Sequence, residues 1–368
     1  MSATPLTLSP VTDRRSLRAF CELPLRLHPP GRHVPTLAAT IADWHRTGAT
    51  ALHLATETRT GRPVGRICLH RSDAMDRQLG RPTQLFGLTE FTDTEVAGRL
   101  FDLAEHTGRK AGATGLFGPV SLLPNQSGGV ITSGFEERGF IDSAWNPPHY
   151  PAAYEHHGFT RRFPSDTWIC PDLDTLDPDT TFRFDDSRIA AEDLRIHHGS
   201  RRRLAEQLPL LRTMLNAAFA PLPYYTEISA DQLAAQTDGL AHLLDERLLL
   251  HLTKAGRPIA FVLAVPDISP FVMRARGRLP LPRQLQLLAT CARYRKEAVL
   301  IIKGTVPDEQ DNGYLTLLSR ELHRGLRTGG YHTLRSTFVE HTNPASAASY
   351  RRAGGRPLHG YTFYEREL

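Results

Sequence analysis

Residues 50–71 alternate apolar and polar positions on both sides of Gly61-Arg62-Pro63, as ALHLATETRT and then VGRICLH. A period of two on both arms, with glycine at the bend, predicts a β-hairpin. The pattern returns at 247–266, where LLLHLTKA and IAFVLAV flank Gly256-Arg257-Pro258. Elsewhere in the first half the periodicity predicts strands at 5–10, 84–91, 114–119 and 159–169, and helices at 13–22, 35–46, 93–111 and 149–157. In the second half it predicts strands at 193–197, 297–306, 332–340 and 359–366, with helices at 201–219, 229–239, 282–292, 313–328 and 343–353. Asp93 and Ser200 read as helix caps, and Gly158 and Gly329-Gly330 as helix stops. Strands followed by alternating strand and helix predict an α+β fold with a mixed, twisted sheet flanked by helices.

The two halves share landmarks. Gly61-Arg62-Pro63-Val64 returns as Gly256-Arg257-Pro258-Ile259, 195 positions on. Asn146, Tyr154 and Gly158 return as Asn343, Tyr350 and Gly354, at offsets of 197, 196 and 196. Near-constant spacing predicts two copies of one roughly 180-residue unit. The first is expected at 1–172 and the second at 190–368. Between them, 173–189 overlaps an acidic, proline-containing stretch (171–187) of linker composition.

Composition narrows the picture. With 368 residues, 40% hydrophobic and 23% charged, the chain is long enough for two cores and is neither disordered nor fibrous. No apolar run reaches the 18 or so residues that span a bilayer, and MSATPLTLSPVTDRR lacks the order of a signal peptide. Four scattered cysteines without a CxxC suit a reducing compartment, so the expected location is cytoplasmic, with no membrane partner. Only four of the 44 basic residues are lysines. Arginine suits phosphate and carboxylate, yet GC-rich codon usage explains the skew as well, and a net charge of +5 is too dilute to indicate nucleic acid.

The chemistry concentrates at 297–316, EAVLIIKGTVPDEQDNGYLT. A β-branched strand ends at Val306-Pro307, and a polar loop with Gly313 opens a long amphipathic helix. Such a turn aims main-chain N–H groups and the positive helix end at the loop, which suits a pyrophosphate. The same residues also read as a plain strand-to-helix turn capped by Asn312. The first copy lacks this loop, because its strand runs through Thr92-Asp93 straight into a helix. Its glycines 112, 115 and 118 follow that helix and read as a helix stop and a close backbone approach. No GxSxG, GxxxxGK[ST] or HExxH occurs. The pairs His156-His157 and His197-His198 are adjacent, so no metal is expected.

Val306-x-x-x-Gln310-x-x-Gly313-x-Leu315 resembles the acyl-CoA pyrophosphate loop of the GNAT (Gcn5-related N-acetyltransferase) superfamily. It departs from that pattern in Leu315, where the family has a small residue, and in the acidic Asp308, Glu309 and Asp311. Asn343-Pro-Ala-Ser346-Ala-Ala-Ser-Tyr350-Arg-Arg-Ala-Gly354-Gly355 resembles the family's helix beside the pantetheine arm, and GYTFYEREL resembles its closing strand. The stretch 116–159, LFGPVSLLPNQSGGVITSGF…NPPHY…GF, resembles a motif of bacterial tandem GNAT-fold proteins. The resemblance implies two GNAT-like domains, with acetyl-CoA or another acyl-CoA as co-substrate in the second copy and a scaffolding or covering role for the first, whose loop 124–139 reads as a lid or an ordinary mobile loop.

It further implies an N-acyltransferase acting on a small-molecule amine. Val306, Gln310, Asn312, Gly313 and Tyr314 would hold the pyrophosphate. Asn343 and Ser346 would meet the pantetheine, Asn343 equally being a helix cap. Tyr350 would protonate the thiolate, with Glu227 or Glu340 as base. Tyr224, Tyr225 and His341 would line the acceptor side. Two rivals stand beside this reading: an aminoacyl-tRNA-dependent transferase with tandem GNAT units, tRNA then being a partner, and a degenerate pair that binds a metabolite without turnover.

Overall fold

A computed structural model of the chain describes residues 5–121, 128–237 and 240–368. Among them the strands are β1 (Leu6–Pro10), β2 (Ala51–Glu57), β3 (Pro63–His70), β4 (Thr83–Phe91), β5 (Gly115–Gly118), β6 (Val130–Ile131) and β7 (Thr160–Cys170). They continue as β8 (Leu194–His198), β9 (Leu249–Lys254), β10 (Arg257–Pro266), β11 (Glu297–Thr305), β12 (Thr333–Glu340) and β13 (Arg356–Glu367). Residues 124–127 of the Gly/Ser-rich loop lie outside the described residues.

The chain divides into two compact units. The first comprises Met1–Ser165, Ser269–Arg283 and His359–Leu368, and the second Asp166–Ile268 and Gln284–Leu358. They are interleaved in sequence, unlike the consecutive blocks expected from the repeat. In the first unit the C-terminal part of β13 pairs with β5, from Tyr364↔Gly118 to Glu367↔Gly115, and it also takes β6. The segment 173–189 is no free linker either, since Leu173 and Phe182 are buried in the core of the second unit and Arg320 holds Asp186 at 2.6 Å.

The first unit runs β1-β2-β3-β4-β5-β13, antiparallel except for the parallel β4–β5 pair. The Gly61 bend takes positive φ (66°), which a glycine adopts without strain. The helix Thr94–Lys110 buries Val96, Ala97, Leu100, Phe101 and Ala104, a helical stripe laid on Phe86, Phe91 and Ile67. Its first turn is closed by Asp93, whose carboxylate accepts from the Val96 N–H at 3.0 Å. At the β4–β5 approach a Cβ on Gly118 would lie 2.3 Å from the Phe86 oxygen, so the close-approach reading of that glycine holds.

The second unit runs β7-β12-β11-β10-β9-β8, with β11–β12 parallel. The helix Tyr314–Thr328 buries Leu317, Leu318, Leu322 and Leu326 against Leu250, Leu252, Val262 and Leu300. The opposite sheet face carries Phe261 and Ile302 under Met214, Leu215 and Ile228. The helix Leu204–Phe219 begins four residues after Ser200 and has no side-chain cap, so the predicted cap at Ser200 is not made. Short helices at Pro24–Leu27, Asp73–Leu79, Pro178–Thr181, Ser187–Ala191 and Ser269–Arg274 were not anticipated, being too short for a 3.6-residue period to register. No helix among the described residues is long and apolar enough to cross a membrane.

Candidate functional site

In the second unit β11 and β12 pair only from Glu297↔Thr333 to Leu300↔Ser336. Ile301 is then an extra residue on β11, skipped between the pairs Leu263↔Ile302 and Ala264↔Leu300. A bulge of this kind bends a strand and raises its twist. Beyond it the two strands part, and a side-chain bond, Thr337 Oγ1 to the Ile301 oxygen at 2.9 Å, stands where the ladder would continue. The result is an open wedge whose walls are Ile301–Thr305 and 337–340.

The loop after β11 closes one end of that wedge. Val306 is tied to β10 by its N–H on the Ile259 oxygen, and 307–309 form one 3-10 turn. Asp311 and Gly313 both take positive φ, 62° and 78°. Gly313 is the N-cap of the helix Tyr314–Thr328 and supplies no side-chain cap, nor does Asn312. Asn312 instead donates to the Glu309 oxygen at 3.3 Å, while Arg188 holds the Asn312 carbonyl at 3.1 Å. The Thr316 N–H bonds the Gly313 oxygen at 2.9 Å, while the Tyr314 and Leu315 N–H groups have no chain partner among the described residues, an arrangement that suits anions. The matching helix of the first unit is stoppered by Asp93.

Two of the three loop carboxylates are drawn to the hairpin. Glu309 bonds Lys254 at 2.9 Å and Asp308 bonds Arg257, both partners lying on the β9–β10 hairpin. Asp308 and Glu309 are thus neutralised, and two cations are brought to the loop. Leu315 is half-buried against the core, so its side chain does not occupy the turn.

No family model matches the chain. It is 23% identical over 317 residues to Protein YghO of Escherichia coli K12, covering 84% of this chain and 80% of that one. It is 23% identical over 384 residues to a bacterial ceramide synthase of Caulobacter vibrioides, covering 99% and 98%. Among solved structures it superposes on a tandem GNAT protein from the clavulanic acid biosynthesis pathway with a TM-score of 0.56 at 15% identity, covering 99% of this chain and 98% of that one. The fold is a tandem GNAT fold. The expectation drawn from the loop and the Asn343 helix is thereby met at the level of architecture.

Within this tandem GNAT chain, Tyr350 is buried on the helix Pro344–Arg352, stacked on Trp168 at 5.7 Å between ring centres. Burial pushes its phenol well above the ordinary range, against a hydrogen bond from Ser336 that lowers it, so the O–H stays protonated at any working pH. Asn343 caps this helix, its Oδ1 accepting from the Ser346 N–H at 3.1 Å, and its amide N–H₂ has no hydrogen-bond partner among the described residues. The counterpart Asn146 does something else: it pins β6 by bonding both the N–H and the C=O of Ile131.

Several expected positions are placed differently from their assigned roles. The Tyr314 side chain is buried and donates to Glu192, so only its main-chain N–H faces the loop. Tyr225 donates to Asn216 at 2.6 Å inside the Met214 cluster, and Tyr224 is buried against Phe338; neither ring lines open space. Glu227 is exposed and meets Asn216 at 3.5 Å. His341 is exposed and bonds Asp166 at 3.1 Å. Gln310 turns back to the Thr305 oxygen at 3.4 Å. Glu340 differs: one carboxylate oxygen accepts from Thr342, and the other is buried with no partner among the described residues.

Lys303 is the residue that pattern reading missed. It lies in the diverging part of β11, its Nζ 4.3 Å above the Tyr350 ring, with no carboxylate in salt-bridge range among the described residues. Its pKa is lowered to about 8, chiefly by burial, with Cys170 opposing the shift and Arg352 adding a lesser push in the same direction as burial. The available signal was a lone charge inside the apolar run EAVLIIKGTV. Between pH 8 and 10.5 the unfolded lysine holds a proton that the folded one has released, so its unfavourable burial fades as pH rises through that window. Lys303→Met is expected to stabilise the unit by about 1–3 kcal/mol at pH 7. Denaturant midpoints should show that gain shrinking by pH 10. A gain that does not change with pH would mean the amine is solvated.

Proposed function

We propose that the chain is an N-acyltransferase that draws its acyl group from a CoA thioester held by the second unit and passes it to an amine. One observation carries the reading: the uncapped first turn of the helix Tyr314–Thr328 opens beside two strands that part after Leu300. The amides of 311–315 suit the pyrophosphate, with Lys254 and Arg257 as neighbouring cations. Asn343 keeps an amide N–H₂ for the pantetheine arm. Bound acyl-CoA supplies an activated carbonyl. Tyr350, kept protonated by burial, donates to the departing thiolate, and Glu340, with an unpartnered oxygen, takes the proton of the attacking amine. Glu227 is the weaker choice of base because it is exposed. The relative named a bacterial ceramide synthase supports transfer to nitrogen, since a ceramide is an amide. It makes a long-chain amino alcohol the first acceptor to try.

Thermal-shift titration with acetyl-CoA, longer acyl-CoAs and bulk tRNA tests the proposal. A ligand at a hundred times its Kd stabilises the folded state by about 2.7 kcal/mol. The expected result is a rise in Tm with acyl-CoA and none with tRNA. No response to any acyl-CoA, or a salt-sensitive response to tRNA alone, would overturn it.

A further inference from the structure

The first unit holds a second cluster that the acyl-transfer reading leaves unused. His28 follows the short helix Pro24–Leu27, His33 lies five residues on, and Glu90 stands on β4. One donor atom from each lies within 4.8 Å of the other two, and the side chains of His28 and Glu90 are buried. Glu90 is firmly placed. Its Oε2 accepts from Tyr150 at 2.9 Å and meets His28 Nε2 at 2.7 Å, while its Oε1 is 3.4 Å from Arg66. Tyr150 is itself fixed by the Phe91 N–H at 3.0 Å, and Arg66 by the Phe20 carbonyl at 2.9 Å. His28 is further held edge-on to Trp145, 5.4 Å between ring centres.

The imidazole of His33 is the unexplained part. Its centre is 4.7 Å from that of His28, and both of its ring nitrogens are buried without a hydrogen-bond partner of normal geometry among the described residues. His28 Nδ1 is also buried and unpartnered among them. Orphaned buried polar groups are costly, and three on two neighbouring rings call for something to fill the gap.

We propose that His28, His33 and Glu90 form a binding site for a divalent transition metal ion, zinc first among them. Two imidazoles with one carboxylate are the donors of zinc and ferrous sites, whereas magnesium and calcium prefer oxygen alone. Nitrogen and oxygen ligands on tetrahedral zinc sit about 3.3 Å apart, so small rotations of the two rings close the present spread. Tyr150 and Arg66 serve as the outer layer that orients the ligating carboxylate. Three protein ligands leave a fourth position open, the pattern of a site that takes water or a small ligand and not of a closed structural one.

The test uses the full chain, stripped with EDTA and dialysed, then titrated with Zn²⁺ and separately with Co²⁺. The expected result is one zinc per chain by elemental analysis, and visible Co²⁺ absorption of a four-coordinate site. His33→Gln removes one ligand and leaves the partners of Glu90 in place, so it should fold with an unchanged circular dichroism spectrum. It should bind at least about tenfold more weakly. Failure of the wild-type chain to retain metal, or binding by His33→Gln or His28→Gln as tight as that of the wild type, would overturn the site. None of these readouts depends on acyl transfer.

Discussion

Tyr350→Phe is expected to lower kcat for acyl transfer by about 10²–10³-fold, the scale of a lost proton donor. The KM for acyl-CoA should stay within about threefold, because the change touches a step and not ground-state binding. The ring remains to stack on Trp168 and to lie under Lys303, so the core loses one oxygen and little packing. The lost group is the hydroxyl that burial holds protonated. A pH profile adds a check: the wild-type rate should show no alkaline limb from Tyr350 below pH 10. Initial rates with acetyl-CoA and the best amine decide the matter, and unchanged kcat would remove Tyr350 from the chemistry.

Gly87→Ala should be the most damaging single methyl group in the first unit. A Cβ there would lie 1.9 Å from the Val120 oxygen and 2.7 Å from its carbonyl carbon, so two main chains would have to separate. No flexible side chain can yield. We expect a loss of about 2–4 kcal/mol, which for a unit of this size lowers Tm by roughly 5–15 °C. Chemical denaturation followed by tryptophan fluorescence measures it. A midpoint unchanged from wild type would show that β4 and the Val120 segment are free to move apart.

Much of the architecture was readable from periodicity. The hairpin arms, the helix Tyr314–Thr328 and strand β11 lie within a residue or two of their predicted bounds, because half-buried strands and one-sided helices write their burial into alternation. The loop at 306–313 was readable for a related reason: a glycine after an apolar strand marks a turn that only a few backbone conformations close. Its charge was only half legible. Asp308 and Glu309 stand out in sequence as a departure from the family loop, and the structure pairs both with hairpin cations some fifty residues away. Tyr224 and Tyr225 failed as pocket residues because an aromatic pair in a loop has the same appearance whether it is buried or exposed.

What the chain order determined by itself is the repeated α+β layout, the two hairpins, and the glycine-bearing turn on which the acyl-CoA proposal rests. These are local properties, set by side-chain period and by the few residues that allow positive φ. What tertiary structure alone decided is which charges meet. Arg66 and Glu90 face each other across β3 and β4 at registered positions, His28 and His33 come to the same carboxylate from some sixty residues upstream, and Lys303 is brought over the Tyr350 ring. The cost or gain of a charge depends on its neighbours and its distance from water, and neither is written in local sequence.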